Sequence, residues 1–417
     1  MRPSSLKLVH MVCLSTLSVA TLAEADIIKD SKAKLDLRNF YMNRDLRDEN
    51  APQSKSEEWA QGFLFRAESG YTEGPVGFGL DVIGFMGIKL DSSPDSFGTG
   101  LLKGDGNRHA KDEYGEAGFL AKARWSKTDV KVGTQEPLLP PLVRNDTRLL
   151  PQTFRGASIN TRDIENLNLD IARYDRVNYR DSSNNEKMTV KQSGGRNIVL
   201  GQQKTSDEFL LGGGSYQLTP DLTASYFYSE LDGIYKQHYG SIVHTLPLGP
   251  GQNFKSDVRF ARSSDDGSSN IDNDVFGAQF SYKTGGNIFS VAYQQLSGDT
   301  GFAQVNGTDN SLVNQSQLGD FGGQNEHSWQ LRHDYNFAAL GVPGLTLMNR
   351  YFIGDHATRI RQGEGRSWER NMILTYVVQS GPFKDVGFSW RNGITRSNFN
   401  SDVDENRLII TYSIPLW

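Results

Sequence analysis

Apolar and polar side chains alternate with a period of two along most of this chain, and helical periodicity is nearly absent. Near the C-terminus, one strand face carries Leu408, Ile410, Tyr412 and Ile414, and the other carries Arg407, Thr411 and Ser413. The same alternation starts again near Leu35, Phe63, Val76, Phe119, Leu222, Phe276, Trp329, Leu345 and Val386. The pattern predicts an all-β protein with many strands.

The connections between these segments are of two kinds. Short turn signals occur at 219–221, 284–287 and 341–344, whereas 256–274 and 298–326 are predicted to be long polar loops. Short turns at one rim and long loops at the other are typical of outer-membrane barrels. With strands of about ten residues, the spacing predicts a transmembrane antiparallel β-barrel of roughly 18 strands.

The first 25 residues predict export. Arg2 and Lys7 precede a short apolar stretch at 8–22, and Ala23-Glu24-Ala25 has the form of a cleavage site, so 1–25 is interpreted as a cleaved secretory signal peptide. The only cysteine lies inside it, which leaves the mature chain, 26–417, without a thiol. An exported barrel is expected in the outer membrane of a Gram-negative cell.

Composition leaves two classes open, a soluble exported all-β protein and a membrane barrel. Hydrophobic residues make up 37% of the chain and the mean hydropathy is −0.52. A barrel tolerates such values because only every second strand residue faces lipid. Charged residues on the polar face of many successive strands favour the barrel. The net charge of −5 does not suggest a nucleic-acid partner.

Strand parity predicts which charges line the lumen, since a lipid-facing charge costs roughly 2–4 kcal/mol near the midplane. The predicted lumen cations, a ladder that would guide substrate, are Arg38, Arg66, Lys122, Arg124, Arg332, Arg350 and Arg391. The matching lumen acids are Asp36, Glu68, Asp81 and Asp334. Rows of cations draw anions through a pore. In the alternative interpretation, the cations only pair with these acids and stiffen the wall.

One segment, at about 134–156, resembles neither a strand nor a solvated loop. It holds four prolines and many apolar residues, which argues against a central strand. A loop folded into the barrel would satisfy both features, whereas the alternative is a loop that caps one rim. Folded inward, Arg144, Arg148 and Arg155 would sit at the constriction, where arginine can bind a carboxylate through two hydrogen bonds.

Several motifs carry a resemblance to a known family. They are the opening segment 30–41, the segments 58–63 and 78–81, the sequence RLLPQTFRG at 148–156, and the distal segments 328–332 and 338–350. The chain resembles the OprD-type substrate-specific outer-membrane channels over nearly all of its mature length. The resemblance implies an 18-stranded barrel with an inward loop, a constriction at mid-height, a basic ladder, and passive uptake of small carboxylate-containing nutrients.

The family has one branch that prefers basic amino acids and related zwitterions and another that prefers carboxylates. Asn145-Asp146 before Arg148, with Arg144 and Arg155, is more similar to the carboxylate branch. We therefore expect small carboxylate solutes, with basic amino acids as the alternative substrate class. Other expected partners are outer-membrane lipid and lipopolysaccharide, with the chain a monomer or weak trimer.

The two other classes are an outer-membrane enzyme and an adhesin or structural barrel. An outer-membrane enzyme would need a catalytic dyad, but the seven histidines are scattered, and His327 and Ser328 are neighbours whose side chains point to opposite faces. No His/Asp/Glu group has metal-ligand spacing, and His333 and His356 are interpreted as girdle or loop residues, so neither a metal nor another cofactor is expected. An adhesin or structural barrel would not need an internal proline-rich loop.

Overall fold

Eighteen long antiparallel strands form a sheet that closes on itself, in a computed structural model that describes residues 28–47, 53–359 and 363–417. The predicted signal peptide lies outside the described residues. The strands are β1 Lys32–Leu46, β2 Lys55–Glu68, β3 Gly77–Asp91, β4 Glu113–Trp125, β5 Thr128–Gln135, β6 Thr153–Thr161, β7 Leu167–Asn178, β8 Phe209–Thr219, β9 Leu222–Leu231, β10 Tyr235–Gly249, β11 Gln252–Asp265, β12 Asp272–Thr284, β13 Asn287–Gly298, β14 His327–Asn336, β15 Leu345–Arg359, β16 Gly363–Val377, β17 Gly387–Ser397 and β18 Val403–Pro415.

Closure comes from pairing of the first strand with the last. β1 and β18 run antiparallel in continuous register from Lys34 opposite Pro415 to Leu46 opposite Val403. Every other long strand pairs with its neighbours in the chain, which confirms the predicted 18-stranded barrel. A closed barrel leaves no unpaired strand edge in the hydrocarbon layer, where a bare backbone N–H or C=O would cost several kcal/mol.

Strand alternation sets the two faces of the wall. In β18, Leu408 and Ile410 are 50% and 43% exposed and face outward, whereas Arg407 and Ile409 are 2% and 7% exposed and face the interior. The phase is the one that the alternation predicts. Outward apolar side chains would contact lipid, and the inward polar ones are left for the lumen.

The connections differ between the two rims. Short connections lie at 126–127, 220–221, 250–251 and 285–286, on one rim, which we call the short-turn rim. Long connections lie at 92–112, 136–152, 179–208 and 299–326, on the opposite, long-loop rim. The prediction of a long loop at 256–274 is wrong, because β11 and β12 occupy most of it and only 266–271 connects them. Its polar residues, such as Asp257 and Arg259, alternate within a strand, and the sequence signal of the loops 92–112 and 179–208 was missed.

The long loops pack against one another inside the barrel. One apolar cluster joins Leu149 and Leu150 of the 136–152 loop to Leu101, Leu64 and Phe85. A second cluster joins the same loop to 179–208 and 299–326, through Leu142, Val190, Phe209 and Ala303 among others. Burying a leucine side chain fully stabilises the fold by about 1.5–3 kcal/mol relative to leaving it exposed. The lumen on the side of the long-loop rim is therefore filled by folded loops, and the channel passes through the space between them.

Helical structure is sparse in the described part of the chain. A 3₁₀ helix at Phe337–Leu340 starts after Asn336, whose side chain accepts a hydrogen bond from the Ala338 amide, and ends at Gly341 with a φ of 82°. Among the described residues, no helix combines the length and the apolar character needed to cross a membrane.

Candidate functional site

The loop 136–152 is attached to the barrel wall by a wall arginine. Arg38 of β1 donates to the Asp146 carboxylate at 2.7 Å and to the Arg148 carbonyl at 2.7 Å. On the other side of the lumen, the Asp309 amide donates to the Val143 carbonyl at 3.0 Å. Two independent contacts therefore hold this loop across the lumen, where it narrows the channel.

Several of the predicted lumen cations are engaged by acids at this loop. Arg66 donates to both oxygens of Glu136 at 3.0 Å and contacts Asp36 at 3.1 Å. Arg144 lies 3.3 Å from both Glu136 and Asp146. Burial by itself would raise the pKa of Asp146, but Arg38 and Arg144 outweigh it and hold that pKa below its usual value.

Two guanidinium groups at the loop, the buried Arg148 and the half-buried Arg180, have no such partner. Arg148 is 7% exposed and donates to the carbonyls of Thr99 at 3.2 Å and Thr147 at 3.1 Å. Arg180 donates to the Asn145 amide oxygen and the Thr147 hydroxyl, both at 3.0 Å. Within the described ranges, neither forms a salt bridge with a carboxylate. Burial, together with Arg407 and Arg180 nearby, lowers the pKa of Arg148.

β18, the strand next to β1 in the wall, contributes a further ion-pair network. Glu405 of β18 is fully buried and accepts from Arg407 at 2.6 Å and from Arg44 at 2.7 Å. Arg407 also donates to the backbone carbonyl of Gln317 at 3.2 Å, and the side-chain amide of Gln317 donates to the Glu405 carboxylate at 3.0 Å. Sequence reasoning missed Arg407 and Arg180 as site residues. Alternation does place Arg407 on the polar face, whereas Arg180 follows β7 in a loop without periodicity.

A small polar cavity of about 260 Å³ lies beside these groups, on the long-loop side. Arg148, Arg180 and Lys191 line it together with Asp309 and the amide side chains of the 299–326 loop. Lys191 is paired with Asp320 at 2.6 Å. Burial raises the pKa of Asp309, against the opposing effect of Arg180. Beside the Lys191–Asp320 pair, the cavity therefore presents two guanidinium groups without an acid partner and, in Asp309, one carboxyl group that forms no salt bridge within the described residues.

The remaining ladder residues divide into paired and unpaired cations. Arg332 donates to both oxygens of Asp334, at 2.6 and 2.8 Å. Arg350 instead donates to the Gln315 carbonyl at 3.0 Å and the Asn371 amide oxygen at 3.3 Å, and Arg391 reaches the Ser389 hydroxyl at 3.5 Å. In the part of the chain that the structure describes, Arg350 and Arg391 form no salt bridge. The two therefore resemble Arg148 and Arg180 rather than Arg332.

A larger cavity of about 840 Å³ lies toward the short-turn rim. Lys122 lies 2.6 Å from Asp81, and Arg124 lies 2.6 Å from Asp129. Arg66 and Glu68 line the same cavity. Arg66, Lys122 and Arg124 are therefore each paired with an acid in this part of the lumen.

Arg155 is a correction to the predicted constriction set. It lies in β6, four residues before the outward-facing Ile159 and therefore on the same face of the strand. Its half-exposed side chain pairs with Asp175 at 2.6 Å. Alternation resumes at Thr153, as soon as the loop ends, and turns Arg155 toward the outside of the barrel. The inward segment was predicted to extend to 156, which placed this residue on the wrong side of the loop boundary.

Sequence spacing did not indicate a group of histidine and acidic side chains, but the fold brings one together. His327, Asp355 and His356 each place one potential ligand atom within 4.8 Å of the others. Two strands supply them, at positions far apart in the chain, so sequence spacing contained no signal for this cluster. Ser328, next to His327, is buried on the inner face.

A closed barrel with lipid-facing apolar side chains and a polar lumen narrowed by inward loops defines an outer-membrane porin. Residues 25–416 match the family described as outer membrane porin, OprD family, and the chain belongs to it. The family and its relatives are channels, not enzymes, and together with the barrel they indicate the Gram-negative outer membrane.

Individual relatives match along nearly the whole chain. The sequence is 38% identical to porin-like protein GalP of Pseudomonas putida over 409 residues, 96% of each protein. A crystal structure of Pseudomonas aeruginosa OpdQ is 53% identical, covers 94% of this chain and 100% of its own, and gives a TM-score of 0.88. A crystal structure of Pseudomonas aeruginosa OpdK with vanillate is 35% identical, with the same coverage and a TM-score of 0.86.

Proposed function

We propose that this porin takes up small solutes that carry a carboxylate, and that Arg148 and Arg180 form the binding step at the constriction. The observation that carries the proposal is a pair of guanidinium groups, one buried and one half-buried, that have no acid partner in the described chain. A buried charge that lacks a counter-charge is costly, and a solute carboxylate in the adjoining cavity would offset that cost.

The lumen cations are proposed to act in two ways. Arg350 and Arg391, which have no acid partner in the described residues, guide anions toward the binding step. Arg38, Arg66 and Arg144 mainly hold the loop, because their charges are already engaged by Asp146, Glu136 and Asp36. Binding at each step must be weak, since a tightly held solute could not leave the channel.

The relative with vanillate supports the substrate class by analogy. Vanillate is an aromatic carboxylate, and the chain resembles that protein in fold along nearly its whole length. We extend the carboxylate chemistry, and not the particular solute, to this channel. We also propose that 1–25 is a cleaved signal peptide and that the barrel works as a monomer or weak trimer among outer-leaflet lipopolysaccharide.

Channel recording in planar bilayers tests the proposal. Benzoate should block the single-channel current in resolvable events, and a neutral sugar of similar size should not. Replacing Arg180 with Gln removes a charge-assisted contact worth about 1.5–3 kcal/mol. Because 1.4 kcal/mol is a factor of ten, benzoate events should shorten roughly tenfold or more. Arg155→Gln, an exposed arginine on the outer face, is the matched control and should leave the events unchanged.

Equal blockage by the sugar and by benzoate would contradict the carboxylate assignment and favour a general-diffusion pore. Equal shortening by Arg155→Gln and Arg180→Gln would contradict the proposed site while leaving the substrate class intact.

A zwitterionic substrate, such as a basic amino acid, is the second candidate. The carboxyl group of Asp309 lines the same cavity as Arg148 and Arg180. An amino acid could place its carboxylate on the arginines and its ammonium near Asp309. Longer blockages by lysine than by benzoate would favour this candidate.

A further inference from the structure

His327 and Asp355 stand opposite each other where β14 and β15 meet the long-loop rim. Both face the outside of the barrel, because His327 is in phase with Trp329, which is 56% exposed, and Asp355 is in phase with Ile353, which is 51% exposed. The pair therefore lies on the outer wall, away from the lumen and from the proposed binding step.

A bulge in β15 adds a second imidazole to this pair. The register shifts between Gly354 and Ala357, and His356 has a φ of 59°. In a regular strand the side chain after Asp355 would point into the lumen. The bulge instead leaves Asp355 and His356 on the same side, and the inward phase resumes at Ala357, which is fully buried. Residues with a Cβ seldom adopt this left-handed conformation.

The three side chains converge as a result. Nδ1 of His356 lies 2.7 Å from a carboxylate oxygen of Asp355, and the rings of His327 and His356 stack with their centroids 4.7 Å apart. One nitrogen of each ring and one oxygen of Asp355 lie within 4.8 Å of one another. Two donors around one Zn²⁺ lie at most about 4.2 Å apart, given bonds of about 2.1 Å. Small rotations of these partly exposed side chains would close that gap.

From this geometry we infer that His327, Asp355 and His356 form a binding site for a divalent transition-metal ion on the outer wall of the barrel. Two imidazoles and a carboxylate match Zn²⁺ or Ni²⁺, whereas Ca²⁺ and Mg²⁺ prefer sites made of oxygens alone. Three protein ligands leave a coordination position open to water or to a ligand from outside the protein.

The site connects to the loop that lines the constriction cavity. The 299–326 loop ends one residue before His327, and it is joined to β15 by the amide of Thr358, which donates to the Gln324 carbonyl at 2.9 Å. The side chain of Asn325 also donates to the Thr358 hydroxyl at 3.0 Å. An ion held by His327 and His356 would add a further link between β14 and β15 beside these bonds. Metal binding should therefore stabilise the anchor of this loop.

Titration calorimetry of the full-length porin, purified without a histidine tag, tests the inference. At pH 7.5, ZnCl₂ should bind at about one equivalent per chain, and binding should weaken at pH 5.5 because the ligand imidazoles must be neutral. His327→Ala should lower the affinity at least roughly tenfold. His356→Gly should do the same without endangering the fold, since glycine adopts a positive φ without strain.

His333→Ala is the matched control, because this histidine lies on the same strand but stacks on Phe289, away from the cluster. It should bind Zn²⁺ like the parent protein. The inference is overturned if the parent shows no Zn²⁺ binding at millimolar ion, or if His327→Ala and His356→Gly both bind like the parent. Stronger binding of Ca²⁺ than of Zn²⁺ in the parent, unaffected by either variant, would also overturn it.

Discussion

The two cavities of the lumen differ in how the arginines that line them are paired. Toward the short-turn rim, Lys122 and Arg124 each have a carboxylate within 2.6 Å. At the smaller cavity, the buried Arg148 and the half-buried Arg180 donate only to carbonyl, amide and hydroxyl oxygens. A cation paired with an acid stabilises the wall, whereas a cation without an acid partner remains available to bind an anionic solute.

The largest effect is expected from Arg38, which ties the constriction loop to β1. Arg38→Ala leaves Asp146 and the Arg148 carbonyl without their wall donor, at about 1.5–3 kcal/mol for a charged contact. The loop should detach, so single-channel conductance should rise and benzoate selectivity should fall together. Limited proteolysis should cut the 136–152 loop faster in this variant. Arg332→Gln, a lumen arginine away from the loop, serves as the control, and unchanged conductance in Arg38→Ala would contradict the anchoring role.

A smaller effect, and one of opposite sign for two solutes, is expected at Asp309. Asp309→Asn removes the carboxyl group from the constriction cavity and so makes its field more positive. Benzoate blockages should lengthen several-fold, and blockages by lysine should shorten. Current recordings of the same variant with both solutes measure this directly. Lengthening for both solutes would show that Asp309 does not contact the ammonium of a zwitterion.

The 299–326 loop, which lines the smaller cavity, should also be sensitive to pH. Burial raises the pKa of Glu326, at the end of the 299–326 loop, to about 7. Because this pKa is raised above the usual value of 4.5, its contribution to stability is full below pH 4.5 and is lost as the pH rises to about 7. Hydrogen exchange of the loop should increase over that window, and Glu326→Gln should remove the dependence. An unchanged pH profile in the variant would exclude Glu326 as the cause.

The smallest effect is expected in the larger cavity, toward the short-turn rim. Arg124→Gln removes a half-exposed arginine that is already paired with Asp129. Exposed ion pairs contribute about 0–1 kcal/mol, so benzoate blockage times should change less than about threefold. Single-channel recordings at low salt give the most sensitive measurement, because salt screens such charges. A tenfold change would erase the distinction between the two cavities.

Much of the fold was predictable because strand parity is a local property. Alternation in β18 separates the lipid face at Leu408 from the lumen face at Arg407, and four prolines distinguish the segment 134–156 from a central strand. Polar alternation also misled, since the lumen-facing residues of β11 were interpreted as a loop. In a barrel, a polar residue is equally compatible with a wet lumen and with a solvated loop, so polarity alone does not locate strand ends.

The sequence by itself determined the barrel, its strand phase and the presence of an arginine-rich inward loop, because each depends on neighbours within a few positions. Only the tertiary structure decided which arginines have acid partners. Arg38 meets Asp146 and Arg180 meets Asn145 across distant parts of the chain, and Arg155 faces outward because the loop ends at Thr153. The His327, Asp355 and His356 cluster likewise depends on strand register and on one bulge. Which side chains meet across the barrel depends on closure of the whole sheet, and a local sequence pattern does not predict it.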